Sequence, residues 1–155
     1  MRQDYQDILE SLFSNNLNEV FSEILIGFEK ESLRINSSMI SQSPHPDKLG
    51  SALCNRFITI DFSEAQLELI TPPFKGNRKP LSMLDDIHHF VSHSIEKEQL
   101  WPLSMPPKML SEDEIPIGSF GSSNEGFFKH VYRLGLANRY GRNMQAISGF
   151  HFNYS

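Results

Sequence analysis

The sequence predicts a single α+β domain, and three observations predict it. Extended stretches carry apolar residues at alternate positions or in short runs near 24–35, 56–73 and 145–155. Helical spacing of apolar residues appears near 4–13, 80–95 and from 124 onward. Loops rich in Ser, Pro and Gly separate these pieces. The 155 residues are enough for one domain with its own core and too few for two.

Taken in order, Ile8, Leu9, Leu12 and Phe13 fall on one helical face, and Asn15 and Asn16 break the pattern. Leu17, Val20 and Phe21 suggest a further short turn of helix. From Ile24 the period becomes two: Leu25, Gly27, Glu29, Glu31, Leu33 and Ile35 share one side of a strand. Residues 37–51 read as a loop. The run 56–73 reads as two extended pieces about Ser63–Ala65, closed by Pro72 and Pro73, which cannot continue a central strand. Pro80 opens a helix whose stripe is Leu81, Leu84, Ile87, His88, Val91 and Ile95. Residues 101–107 form a loop stiffened by prolines, and 108–123 stay irregular. Asn124 suits an N-cap for a helix that buries Phe127, Val131 and Leu134, and Gly141 suits its C-terminal end. From Gln145 the pattern alternates again. Ala146, Ser148, Phe150, Phe152 and Tyr154 point one way, and Ile147, Gly149, His151, Asn153 and Ser155 the other. The sequence stops inside this strand, which leads us to expect the N-terminal part of a longer catalytic domain.

Composition narrows the function classes. The net charge is −5 with no basic block, which argues against a nucleic-acid partner. No stretch approaches the roughly 20 apolar residues of a membrane span, and the acidic N-terminus is unlike a signal peptide. The one cysteine, Cys54, excludes an internal disulfide and suits a reducing compartment, so a cytoplasmic protein is expected. Without a neighbouring base in sequence, Cys54 reads as a buried structural thiol.

The stretch from Gly27 to Ile35 sets two carboxylates, Glu29 and Glu31, about 6.5–7 Å apart on one side of a strand. Asp61, Glu64 and Glu68 lie among apolar residues in the next pair of extended pieces. Spacing alone leaves two readings open. The acids face water on a half-exposed sheet, or they hold divalent cations, with oxygen ligands favouring Mg²⁺ or Mn²⁺ over zinc. His89 and His93, with Asp85, line a helix face away from the apolar stripe; lacking HExxH, that face reads as solvated. His88, on the stripe, reads as a satisfied histidine at the core's edge. The glycine-rich 118–126 matches no phosphate-loop pattern.

Six motifs in order, GFEKESLRI, HPDKLGSAL, ITIDFSEAQLELITP, LWPLSMPP, GSSNEGFFKHVYRLGLANRYG and MQAISGFHFNYS, resemble the N-terminal part of the proteobacterial glutamate–cysteine ligases. The resemblance implies a fold akin to glutamine synthetase: a curved antiparallel sheet lined with carboxylates, helices packed outside it, here incomplete. It implies ATP-dependent joining of the γ-carboxylate of L-glutamate to the amine of L-cysteine through an acyl phosphate, with ATP as co-substrate. It also implies Mg²⁺ or Mn²⁺ ligands at Glu29, Glu31, Asp61 and Glu68. His151 then faces the transferring phosphate or the amino acids, with Asn153 on the same face. Tyr132, Leu136, Gln145 and Ile147 form a wall of the cysteine pocket, and Arg133 positions a substrate carboxylate.

One departure is the family's usual Gly-Ile-Glu-Arg-Glu, which is Gly-Phe-Glu-Lys-Glu here, with Lys30 between the two acids. Another is that further strands, another metal-binding glutamate and most nucleotide-binding residues are expected in a missing C-terminal portion. A non-catalytic, metal-binding remnant and a ligase for another amine therefore stand as alternatives.

Overall fold

Twelve consecutive residues, Leu25–Asn36, form the strand β1 on which the sheet is assembled. The computed structural model describes residues 2–15, 23–76, 78–108 and 111–155. The remaining strands are β2 (Met39–Ile40), β3 (Ile58–Ile60), β4 (Gln66–Ile70), β5 (Phe74–Lys75), β6 (Gln99–Leu100) and β7 (Phe150–Tyr154). The helices are α1 (Arg2–Ser14), α2 (Arg78–Ser94), α3 (Asn124–Tyr140) and the short α4 (Arg142–Gln145). The turn of helix expected at Leu17, Val20 and Phe21 lies outside the described residues.

Every strand pairing among the described residues is antiparallel. One edge of β1 carries β4, with Glu31 opposite Glu68, and β3 lies beyond it, with Thr59 opposite Glu68. The other edge carries β7, with Glu29 opposite His151 and Gly27 opposite Asn153. β4 and β5 meet the same edge of β1, interrupted by Thr71, Pro72 and Pro73. Proline has no N–H to give the ladder. The hydroxyl of Thr71 bridges the gap by accepting the Phe28 N–H at 2.8 Å.

Alternation sorts the side chains of β1 onto two faces. On the outer face Phe28 packs with Ile58, Ile60, Leu67 and Leu69, under Leu84, Ile87 and Val91 of α2. Of the stripe read for this helix, Leu84, Ile87, Val91 and Ile95 are buried and His88 is half-buried, but Leu81 is exposed, because it lies at the rim of the face that meets the sheet. On the inner face a second core gathers Leu33, Phe62, Ala65, Ile115 and Ala146, edged by Leu136 and Ala137 of α3. Arg34, fully buried, joins these parts. It pairs with Glu98 at 2.5 Å and donates to the carbonyls of Ser43, Pro44 and Glu64. A buried guanidinium needs this many acceptors to offset its desolvation.

Several local expectations are corrected. The loop 37–51 contains the β1–β2 hairpin and a one-turn 3-10 helix, Asp47–Leu49. The N-cap of α3 is Ser123, whose hydroxyl accepts the Gly126 N–H, and not Asn124. The residues expected to be buried on α3 are exposed: Phe127 by 65%, Val131 by 44% and Leu134 by 39%. The docked face instead runs through Gly126, His130, Arg133 and Ala137. Gly126 lies so close to the Phe120 backbone that a Cβ would sit 2.4 Å from its carbonyl oxygen. His130 Nδ1 lies 2.8 Å from the Gly118 carbonyl, and the Arg133 guanidinium lies 4.3 Å from the centre of the Phe120 ring. A helix held by a glycine and two polar side chains turns its apolar stripe elsewhere. Gln145 and Ile147 precede β7 instead of lying in it, because Ala146 ends the turn of α4 by donating back to Arg142 and Asn143. Cys54 is exposed, not buried.

Candidate functional site

The acidic stretch of β1 occupies the inner face between the second core and the open end of the sheet. Apolar residues at Leu33 and Ile35 bury one end of that face, so Glu29 and Glu31 fall where the cover stops. Glu31 is the most tethered of the carboxylates. Its Oε2 accepts the Gly149 N–H at 2.8 Å, and its Oε1 lies 3.1 Å from His151 Nε2. Glu29 Oε1 accepts from Asn153 Nδ2 at 3.0 Å. His151 and Asn153 are neighbours of these acids because β7 alternates in register with β1. A glycine at 149 leaves room for the ring: a Cβ there would lie 2.8 Å from His151 Nε2.

Asp61 and Glu68 close the opposite side. The tight connection from Asp61 to Gln66 is pinned by the Asp61 N–H to the Gln66 carbonyl and the Gln66 N–H to the Ser63 carbonyl. Burial raises the pKa of Asp61, and the negative charge of Glu31 raises it further, while Arg133 and His151 oppose the shift. Burial pushes Glu68 up to about 7, reinforced by Asp61, Glu29 and Glu31. Like charges that shift one another are close in space. The structure therefore brings Glu29, Glu31, Asp61, Glu68 and His151 to one surface, with Asn153 at its rim.

The donor set is oxygen-rich and anionic, the chemistry that suits Mg²⁺ or Mn²⁺. A divalent cation would offset both the burial and the like charges that raise the Glu68 carboxyl, so the residues fit such an ion. They do not form a finished shell. Among the described residues no three His, Cys, Asp or Glu side chains are drawn together tightly enough to hold an ion as they stand. Glu64 stands apart from this group, accepting the His45 N–H at 2.8 Å and the Ser119 N–H at 2.5 Å, and so ties two loops.

The residues expected around cysteine belong to α3 and to the segment leading into β7. Leu136 packs on the cluster that contains Ala146, the residue between Gln145 and Ile147. Tyr132, one turn earlier on α3, is 57% exposed. Arg133 donates from Nε to the Asp61 carbonyl and from Nη1 to the Lys129 carbonyl at 3.0 Å. Two groups at the site escaped the sequence reading. Gln66, fully buried, reaches toward both Glu31 and Ser148, and the Gly149 N–H holds Glu31. Gln66 had a signal, its place two residues before Glu68 on the same side of an alternating strand; a backbone N–H has none.

Comparison with known proteins fits this geometry. Residues 9–155 match the family model for glutamate-cysteine ligase, and the chain belongs to that family. The glutamate–cysteine ligase of Pseudomonas entomophila is 49% identical over 146 residues, which are 94% of this chain and 27% of that protein. That of Vibrio parahaemolyticus is 45% identical over 153 residues, 98% of this chain and 29% of that one. The chain thus spans less than a third of the length of these relatives. A crystal structure of the Francisella tularensis glutamate–cysteine ligase in complex with AMP superposes with a TM-score of 0.82 at 42% identity, over 85% of this chain and 27% of that one. A bifunctional glutathione synthetase from Pasteurella multocida gives 0.80 at 36% identity, over 92% and 18%. The expected α+β class with an open antiparallel sheet agrees with these structures. Among the described residues no helix is long and apolar enough to cross a membrane.

Proposed function

We propose that this chain carries the carboxylate and cysteine sides of a cytoplasmic glutamate–cysteine ligase site, which joins the γ-carboxylate of L-glutamate to the amine of L-cysteine at the expense of ATP, the first step of glutathione synthesis. The observation that carries the proposal is the convergence of four acids from three chain segments, where burial, reinforced by Asp61, Glu29 and Glu31, pushes Glu68 up to about 7. A carboxylate and a triphosphate repel each other, and a divalent cation between them supplies the neutralising charge and the alignment for in-line transfer.

In this reading Glu29, Glu31, Asp61 and Glu68 hold Mg²⁺ or Mn²⁺. Asn153 and the Gly149 N–H fix the orientation of Glu29 and Glu31 before any ligand arrives. His151, its side chain half exposed while that of Glu31 is only 12% exposed, presents its ring to the side where the phosphoryl group and amino acids meet. Tyr132, Leu136, Gln145 and Ile147 line the cysteine side. Arg133 keeps its Nη2 end without a protein hydrogen bond among the described residues, free to take a substrate carboxylate.

The test is formation of γ-glutamylcysteine from L-glutamate, L-cysteine, ATP and Mg²⁺, followed by mass spectrometry. Product that requires all four, and that falls at least about a hundredfold in Glu29→Ala, supports the proposal. A second reading is a non-catalytic cation-binding portion of the ligase fold. No product, together with Mn²⁺ broadening of the Glu31 and His151 resonances, selects that reading instead.

A further inference from the structure

The outer face of β1 holds an unusual arrangement that the ligase reading does not use. Lys30 lies between Glu29 and Glu31 in sequence but points the other way, toward α2. There it borders a cleft of about 670 Å³ lined also by Arg78, Leu81, Ser82, Asp85 and His88. Residues 78, 81, 82, 85 and 88 follow one face of α2, so a single helix surface and one strand residue build the whole cleft.

The charges in it are not balanced. The Lys30 ammonium makes one hydrogen bond, to the Ser32 hydroxyl at 2.6 Å, and no ion pair among the described residues. Two of its three donor directions are left over. Arg78 has no hydrogen bond or ion pair among the described residues. His88 is half-buried, and its Nε2 is shielded from solvent without a partner, contrary to the satisfied histidine read from sequence. The one acid in the cleft, Asp85, is 72% exposed and lies 3.7 Å from His89 Nδ1 on the solvent side of the helix. Burial lowers the pKa of Lys30, and burial and Lys30 both lower that of His88. Two cations and an imidazole thus converge on a space with an apolar wall of Leu81 and Leu84.

We propose that this cleft is a second ligand site, for a small oxyanion carrying a short apolar group, on the face of the sheet opposite the carboxylates. The Lys30 and Arg78 cations grip the anionic head, the leucines receive the tail, and the His88 ring, part of the wall, senses whether the cleft is occupied. The arrangement does not use the carboxylates of the ligase reading, since every lining residue other than Lys30 belongs to α2.

Two probes distinguish the anion classes: inorganic phosphate and propionate, each titrated into the full chain at ionic strength held constant with chloride. The readout is the NMR signal of the His88 ring. A saturable shift is expected with at least one probe; phosphate assigns a phosphoryl head and propionate a carboxylate. Lys30→Met and Arg78→Met should each weaken it about tenfold, the loss of one charge-assisted contact. Arg78 is exposed, so its variant keeps the fold and the test stands if Lys30→Met misfolds. Shifts with both probes that merely match chloride, or saturable binding unchanged in Arg78→Met, overturn the proposal.

Discussion

Glu68 is where the electrostatics of the inner face become measurable. Its carboxyl titrates at about 7 in the folded chain, against 4.5 ordinarily. Between those values the native state binds a proton that the unfolded state has lost, so stability falls as pH rises from 4.5 toward 7 and levels off above. Glu68→Gln keeps the shape and removes the charge, and should flatten that part of the melting-temperature profile. Retention of the full wild-type slope in the variant would show that Glu68 is not the group responsible. Mg²⁺ acts in the opposite direction to burial, stabilising the anion, so millimolar Mg²⁺ should move the Glu68 carboxyl titration downward in ¹³C NMR. No movement would remove the cation from this surface.

At the scale of elements, the strands are held by substitutes for ordinary ladder bonds. Thr71, 5% exposed, supplies the acceptor for the Phe28 N–H where Pro72 and Pro73 interrupt pairing. Thr71→Val keeps the volume and leaves that N–H buried and unpaired, and should cost about 1–3 kcal/mol in urea denaturation. Gly126→Ala drives a Cβ to 2.4 Å from the Phe120 carbonyl oxygen, a contact with backbone that cannot turn aside. It should cost about 1–3 kcal/mol and displace the start of α3, seen as exchange-broadened amides near Phe120. These interactions also mark how far the sequence could be read. The alternation of Glu29 and Glu31, of His151 and Asn153, and of Phe150, Phe152 and Tyr154 follows from the pleat, a local property, and was legible. The docked face of α3 was not, since Phe127, Val131 and Leu134 satisfy helical spacing whether or not anything covers them. Nor were the loop-tying role of Glu64 and the turn at Ala146, each decided by partners distant in sequence or by a few backbone bonds. The metal-ligand assignments came from motif resemblance; spacing alone left the acids solvated or cation-bound.

For the molecule as a whole, the outer face of the sheet is unevenly covered. α2 lies over β3, β4 and part of β1, while the outer side of β7 leaves Phe150, Phe152 and Tyr154 exposed by 53%, 54% and 73%. These rings meet at tilted or edge-on angles through Phe28, whose centre is 5.4 Å from that of Phe150 and 5.5 Å from that of Phe152, with Tyr154 6.3 Å beyond Phe152, so they form one continuous apolar strip. Among the described residues β7 pairs with β1 alone, and its other edge offers unpaired backbone groups beside the strip. A strand that is apolar on one side and open along its edge is a template for another chain. The 155-residue chain should therefore self-associate reversibly at about 100 μM, as read by sedimentation velocity. Phe152→Ser interrupts the middle of the strip without touching Glu29, Glu31 or His151, and should return the chain toward the monomer while leaving cation-dependent shifts of Glu68 in place. A wild-type chain that stays monomeric at that concentration would mean the strip is too narrow to recruit a partner. Association undiminished in Phe152→Ser would instead place the contact elsewhere, such as on α1 or α3, which also expose Phe13, Phe127 and Phe128.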